Sequence, residues 1–267
     1  MEKTNPVGVF DSGLGGLSVV HTLKKLMPEE DILFFGDSIH NPYGTKTREQ
    51  ITDYSIGICR MLEEKGAKAI VIACNTATSA CVRQLREMFD MDIIGMEPAL
   101  KPAATIGSHQ RIAVWATKLT LEEEKFARLM SRFQKDHEIL KVPCMKLVAL
   151  VENDQLENQE AVDEVLKEYL DQSNWETLDS IVLGCTHFVF FRQRLEELTE
   201  GRVRIIDGNE GTARHVKELL DNKNLLNDSG GKIEVSNSLE DRIGLSYKLL
   251  QLLEDRDESQ KCMAELL

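Results

Sequence analysis

Two cysteines in this chain end nearly the same phrase. Ala69-Ile70-Val71-Ile72-Ala73 runs into Cys74-Asn75-Thr76, and Ile181-Val182-Leu183-Gly184 runs into Cys185-Thr186-His187. Each is a short apolar run that stops at a thiol flanked by small polar residues. That pattern reads as a buried parallel strand delivering a loop. In open α/β sheets, ligands bind beyond the carboxyl ends of the strands, so both thiols are expected at a ligand site. They lie 185 − 74 = 111 positions apart.

A thiolate can act as nucleophile, metal ligand, redox partner or base. A hydrolase needs one nucleophile with a base, and a second symmetric thiol would be redundant. A redox pair usually comes as C-x-x-C on one loop. A metal site would want more Cys or His close by, and the chain has six histidines in all. Two opposed thiols suit proton transfer at one carbon from both faces, one removing a proton and the other delivering one. That is racemisation. Titratable neighbours are at hand: His187 two residues after Cys185, Asp11 at the end of the first strand, and Glu152 in the second half. Taken alone, a cysteine after an apolar strand is most often a small buried residue. His187 could be a satisfied structural histidine, Glu152 an acid at a helix start, and Asp11 a turn residue. The repeated context sets the two cysteines apart.

The elements around these residues follow from hydrophobic pattern and turn chemistry. Val7 to Phe10 is a strand ending in the turn Asp11-Ser12-Gly13-Leu14-Gly15-Gly16, with a helix after it. Such a turn lets a ligand approach backbone N–H groups and the positive helix end. It meets neither the G-x-G-x-x-G nor the Walker spacing. Ile32 to Phe35 is a second strand, followed by Asn41-Pro42-Tyr43-Gly44 and a helix whose capping box is Thr47 with Gln50. The Cys74 strand is third and Ile93 to Met96 fourth. The pattern then restarts: a strand from Ile112 to Trp115, a helix capped by Thr120 with Glu123, a strand from Met145 to Val151 ending at Glu152, the Cys185 strand, and a strand from Val203 to Ile206.

Strand ends pair across the halves at near-constant offset: Phe10 with Trp115 (105), Phe35 with Val151 (116), Ala73 with Gly184 (111) and Ile94 with Ile205 (111). This predicts a structural duplication. The expected fold is α/β: two similar domains, each a mostly parallel sheet flanked by helices, related by pseudo-symmetry with the site in the cleft between them. A helix from Thr212 to about Leu220, a short strand from Lys232 to Val235 and a last helix from Leu239 to about Leu253 remain, with a charged tail expected to fray. A chain that crosses near Glu97-Pro98 and returns near Asp207-Gly208 would place these on the first domain. The expected division is 1–97 plus 208–267, and 98–207.

At 267 residues the chain is long enough for two cores, and 42% hydrophobic with 29% charged residues is the composition of a soluble globular protein. A net charge of −13 disfavours nucleic-acid binding, which needs a basic surface. Six cysteines without paired spacing suit neither a zinc site nor a disulfide scaffold. No apolar run approaches 18 residues and no secretory leader is evident, so a cytoplasmic protein with reduced thiols is expected, with no membrane partner.

Phe10 to Gly16, Asn41-Pro42-Tyr43-Gly44, Ala73 to Thr76, Glu97-Pro98-Ala99 and Gly184 to His187 together resemble the glutamate racemase family, within the cofactor-independent aspartate/glutamate racemase superfamily. The likeness spans about 7 to 215, and the Asp-Ser-Gly, Pro-Tyr-Gly and Cys-Asn-Thr group favours glutamate over aspartate. The resemblance implies interconversion of L- and D-glutamate, supplying D-glutamate for peptidoglycan, with no metal or pyridoxal cofactor and a homodimeric assembly. It implies Cys74 as acid/base for the D-enantiomer and Cys185 for the L-enantiomer, with Asp11 supporting Cys74, His187 supporting Cys185, and Glu152 a further supporting acid. Ser12, Pro42, Tyr43, Gly44, Asn75, Thr76, Thr117, Thr120, Thr186 and His187 match substrate-contacting positions. Leu119 and Gly208 depart from the family pattern, which often has Gly and Ser there; neither is a proton-transfer residue. The alternatives are a racemase for aspartate or another amino acid, and a non-catalytic two-domain binding protein whose ligand would need no thiol.

Overall fold

The computed structural model describes residues 2–96 and 99–265. The chain alternates strands and helices: β1 (Val7–Asp11), α1 (Leu17–Leu26), β2 (Ile32–Gly36), α2 (Arg48–Glu64), β3 (Ala69–Ile72), α3 (Asn75–Met88) and β4 (Asp92–Gly95), then α4 (Leu100–Ala104). The pattern repeats as β5 (Arg111–Ala116), α5 (Lys118–Glu122), α6 (Glu124–Ser131), β6 (Glu138–Pro143), α7 (Met145–Glu152), α8 (Gln159–Ser173), β7 (Ser180–Leu183), α9 (Arg192–Leu198) and β8 (Arg204–Asp207). The chain closes with α10 (Asn209–Asn222), β9 (Ile233–Asn237) and α11 (Arg242–Glu265).

All strand pairings are parallel, in two sheets ordered β4-β3-β1-β2-β9 and β6-β5-β7-β8. Matching β1 to β5, β2 to β6, β3 to β7 and β4 to β8 gives the same order in both. The fold is therefore α/β with a duplicated parallel sheet. Strands β1, β3 and β7 are buried along their whole length, as sheets covered by helices on both faces require. In each sheet the order reverses between the first and third strands of the repeat, and there a crevice opens beyond the strand ends. Cys74 follows β3 beside β1, and Cys185 follows β7 beside β5.

Three sequence expectations are corrected. Met145 to Val151 is helix α7, not a strand, and the strand is β6. A short apolar run cannot by itself be told from a buried helix segment. The half-exposed edge strand β6, charged at Glu138 and Lys141, gave a weaker apolar signal. Its end at Pro143 pairs with Gly36 at an offset of 143 − 36 = 107, in place of the Phe35–Val151 pairing. Thr120 and Glu123 do not form a capping box. Thr117 caps α5, accepting from the Thr120 N–H at 3.2 Å, and the Glu123 carboxylate binds Arg48 of α2. The tail beyond Leu253, expected to fray, continues as helix to Glu265. It contains no Gly or Pro, and Asp257 is held by Lys25 and His21 of α1.

The C-terminal segment meets the first sheet. β9 pairs with β2, α10 packs on α1 and reaches β4, and α11 packs on α1 and β9. The expected crossing at Glu97-Pro98 lies outside the described residues. One apolar core runs through both halves, from Val9, Leu17 and Phe34 to Trp115, Leu147 and Phe188. A buried ion pair fixes the segment that returns from α10. Lys68 Nζ, fully buried, contacts Glu30 Oε2 at 2.6 Å and donates to the carbonyls of Lys3 and Leu225, while the Asn227 N–H donates to Glu30 Oε1 at 2.6 Å. Removing one partner leaves an uncompensated buried charge, so Glu30→Gln or Lys68→Met is expected to cost about 3–5 kcal/mol. Urea unfolding measures this, and the double substitution should recover part of the loss. Single variants as stable as the parent would show the pair to be dispensable.

Candidate active site

Both thiols wall one narrow cavity, with free space of about 10 Å³. With them stand Ser12, Pro42, Tyr43, Gly44, Asn75, Thr76, Thr117, Val148, Thr186 and His187. A larger open groove between α1, α9, α10 and α11 holds neither thiol. Most of the residues anticipated from sequence therefore meet at one place. Thr120 lies one step behind the wall, its hydroxyl bonded to those of Thr117 at 2.9 Å and Thr76 at 3.2 Å, while Thr76 and Thr117 are 3.0 Å apart. These three hydroxyls join the two halves. Asp11 and Glu152 also stand behind the wall.

Cys74 is the N-cap of α3, where its sulfur accepts the Ala77 N–H at 3.4 Å and lies 3.6 Å from Ser12 Oγ. A helix N-terminus favours a thiolate, but burial outweighs it. Burial first, then the charge of Asp11, push the Cys74 thiol up to about 12. Asp11 itself is pushed up to about 6 by burial, against the pull of His187 and the Gly13 N–H. Its hydrogen bonds go to the Gly13 N–H (3.1 Å) and to the Thr186 hydroxyl of the opposite half (3.2 Å).

Cys185 has a different setting. His187 Nδ1 is 3.7 Å from its sulfur, and His187 Nε2 is 2.7 Å from Glu152 Oε1. Burial alone would lower the imidazole; its hydrogen bonds to Cys185 and Glu152 outweigh that and hold His187 well above the ordinary histidine value. Glu152 fixes which ring nitrogen faces the sulfur. Its carboxylate also accepts the Leu14 N–H at 2.8 Å and lies 3.4 Å from Asn41 Nδ2. The glycine-rich turn thus docks on the opposite half. A Cβ at Gly13 would stand 2.1 Å from Glu152 Oε1, and one at Gly15 would stand 2.3 Å from His187 Nδ1. Only glycine allows this approach. Tyr43 reaches the cavity from the loop after β2, its hydroxyl donating to Asp37 at 2.7 Å.

A family model for Asp/Glu/Hydantoin racemases matches residues 17–216. A glutamate racemase of Bifidobacterium adolescentis is 50% identical over 260 residues, covering 96% of this chain and 100% of that one. The chain belongs to the glutamate racemase family. Among solved structures, a glutamate racemase isoform from Bacillus anthracis superposes with a TM-score of 0.82 at 27% identity, covering 93% of each chain. Escherichia coli glutamate racemase, solved with L-glutamate and the activator UDP-MurNAc-ala, gives 0.74 at 30% identity, covering 81% of this chain and 83% of that one. The two parallel sheets found here are the architecture of these racemases.

Sequence reasoning missed Val148, Asn41, Asp37 and the Leu14 N–H. Val148 could have been found had its segment been read as a helix, because Leu147, Val148 and Val151 then fall on one face. The others carry no local signal.

Proposed function

We propose that the chain interconverts L- and D-glutamate, passing the α-proton between two thiols. The observation that carries this reading is that Cys74 and Cys185, from equivalent strands of the repeat, wall the same narrow cavity. The glutamate racemase relatives and the L-glutamate held by the E. coli enzyme support glutamate over aspartate.

In this reading Cys185 serves the L-face and Cys74 the D-face. Cys185 as thiolate takes the α-proton of L-glutamate, and the Cys74 thiol gives its own proton to the opposite face, leaving D-glutamate with the charge states of the two sulfurs exchanged. Burial keeps Cys74 protonated, and the His187 imidazolium, held by Glu152, faces Cys185. The amino acid's ammonium brings the positive charge that Cys74 lacks. Asn75 Oδ1, buried with no partner among the described residues, is an acceptor for it. The first turn of α3 and the hydroxyls of Ser12, Thr76, Thr117 and Thr186 supply donors for the carboxylates. These side chains are almost fully buried, so the fixed dipoles act on the developing carbanion at low dielectric.

Domains of 1–97 plus 208–267 and of 98–207, with the cavity between them, fit this scheme. So does the D-glutamate demand of cell-wall synthesis in the cytoplasm, with the chain as a homodimer; sedimentation velocity tests the dimer. Among the described residues no helix is long and apolar enough to cross a membrane.

Incubating the purified chain with either enantiomer in heavy water tests the proposal. The expected result is loss of optical rotation with deuterium appearing at the α-carbon, for glutamate and not aspartate. Activity should survive dialysis against a chelator and show no pyridoxal absorbance. Absence of α-deuterium in product from either enantiomer would overturn the reading, and activity restored only by a metal or pyridoxal phosphate would overturn the cofactor-independent mechanism.

A further inference from the structure

We propose that Arg242, at the start of the C-terminal helix α11, is a positioning residue for the Cys185 half of the reaction; this rests on the two-thiol reading above. Its Nη1 donates to the backbone carbonyl of Glu152 at 2.5 Å, where α7 ends. A guanidinium there satisfies an otherwise open helix-end carbonyl and complements the negative end of the dipole. The side chain of that same Glu152 holds His187 Nε2 at 2.7 Å, and His187 Nδ1 faces Cys185. The line Arg242–Glu152–His187–Cys185 therefore runs from a helix packed on the first sheet's elements to the thiol of the second sheet.

Two further observations mark this as placement. Arg242 Nε is buried without a partner among the described residues. Farther along α11, the Arg256 guanidinium donates to the carbonyl of Phe190 at 2.6 Å, in the turn that follows His187. Between these points Leu249, Leu250 and Leu253 are buried in the core that includes Phe188, Phe190 and Phe191. The helix grips the histidine's surroundings on both sides, from Glu152 and from Phe190.

The test uses the full chain and two glutamate analogues carrying a leaving group at the β-carbon, one of each α-configuration. Elimination needs proton abstraction by one thiol only, so the ratio of L- to D-elimination reports the Cys185 side against the Cys74 side. A general loss of stability lowers both and leaves the ratio unchanged. Arg242→Met is expected to lower the ratio about tenfold, as a displacement approaching 1 Å does. Arg242→Lys, which keeps the charge but not the reach, should lower it about threefold. An unchanged ratio in Arg242→Met overturns the proposal. Should that variant fail to fold, an unchanged ratio in Arg242→Lys does so. A parent enzyme that eliminates from neither analogue would instead refute the two-thiol reading itself.

Discussion

Cys74→Ser and Cys185→Ser are each expected to lower racemisation by about 10²–10⁴-fold or more, the range that one positioned acid/base supplies. A serine hydroxyl is a far weaker acid than a thiol, so serine gives neither a usable base at one face nor an adequate proton donor at the other. The losses should be equal for racemisation in both directions, because every turnover needs both groups. They should separate in elimination from the β-substituted analogues. Cys74→Ser keeps elimination from the L-analogue through Cys185, and Cys185→Ser keeps it from the D-analogue through Cys74. The supporting groups predict a weaker version of this split. His187→Asn removes the cation that faces Cys185 at 3.7 Å and should hurt the L-analogue more. Asp11→Asn is expected to act more on the Cys74 direction, although Asp11 is bonded to Thr186 of the opposite loop, so part of its effect should also reach the L-analogue. A Cys74→Ser enzyme racemising at near-normal rate would end the two-base mechanism, as would folded cysteine variants that lose both eliminations equally.

Gly15→Ala is expected to lower kcat/KM about 10²-fold while leaving the protein folded. The added methyl would stand 2.3 Å from His187 Nδ1 and 2.4 Å from Thr186 Oγ1. Neither atom is free to yield, because His187 is tied to Glu152 at 2.7 Å and Thr186 to Asp11 at 3.2 Å. The methyl must push apart the two loops that carry the catalytic groups, and it moves the imidazole relative to Cys185. Gly57→Ala is the matched control. Gly57 lies within α2 with nothing within 4 Å of the added carbon, and the change should stabilise by about 0.4–1 kcal/mol without altering turnover. Parent-like kcat/KM in Gly15→Ala would show that the contact between the glycine-rich turn and the Cys185 loop plays no part in catalysis.

Some of the fold was legible because its signals are local. Strands β1, β3 and β7 are continuous apolar runs, since both faces are covered, and each ends at residues with an evident turn preference. The capping box of α2 was readable from Thr47 and Gln50 alone, and it forms, with the Gln50 N–H donating to Thr47 Oγ1 at 3.2 Å. Edge strand β6 and helix α7 were misassigned for the opposite reason. A strand with one solvent-facing side mixes charged and apolar residues, whereas a short buried helix condenses its apolar residues into a run like a strand's.

The sequence by itself determined that two thiols stand at equivalent strand ends of a repeated α/β unit, and that Ser12, Tyr43, Asn75 and Thr186 sit on the loops beside them. These are consequences of pattern along a few consecutive residues, where backbone geometry dictates which side chain reaches the end of a sheet. Only the tertiary structure decided what surrounds each thiol. Glu152 meets Leu14 across 138 positions, Asn41 across 111 and Arg242 across 90. Asp11 reaches Thr186 across 175. Contacts so distant in sequence leave no periodicity behind, because they depend on how two packed sheets face each other. Burial acts the same way: it makes Cys74 a reluctant acid, whereas at His187 the partners Cys185 and Glu152 outweigh it. Two cysteines at equivalent strand ends therefore acquire different electrostatic settings, because the halves that enclose them are alike in backbone and unlike in the side chains they turn toward the cavity.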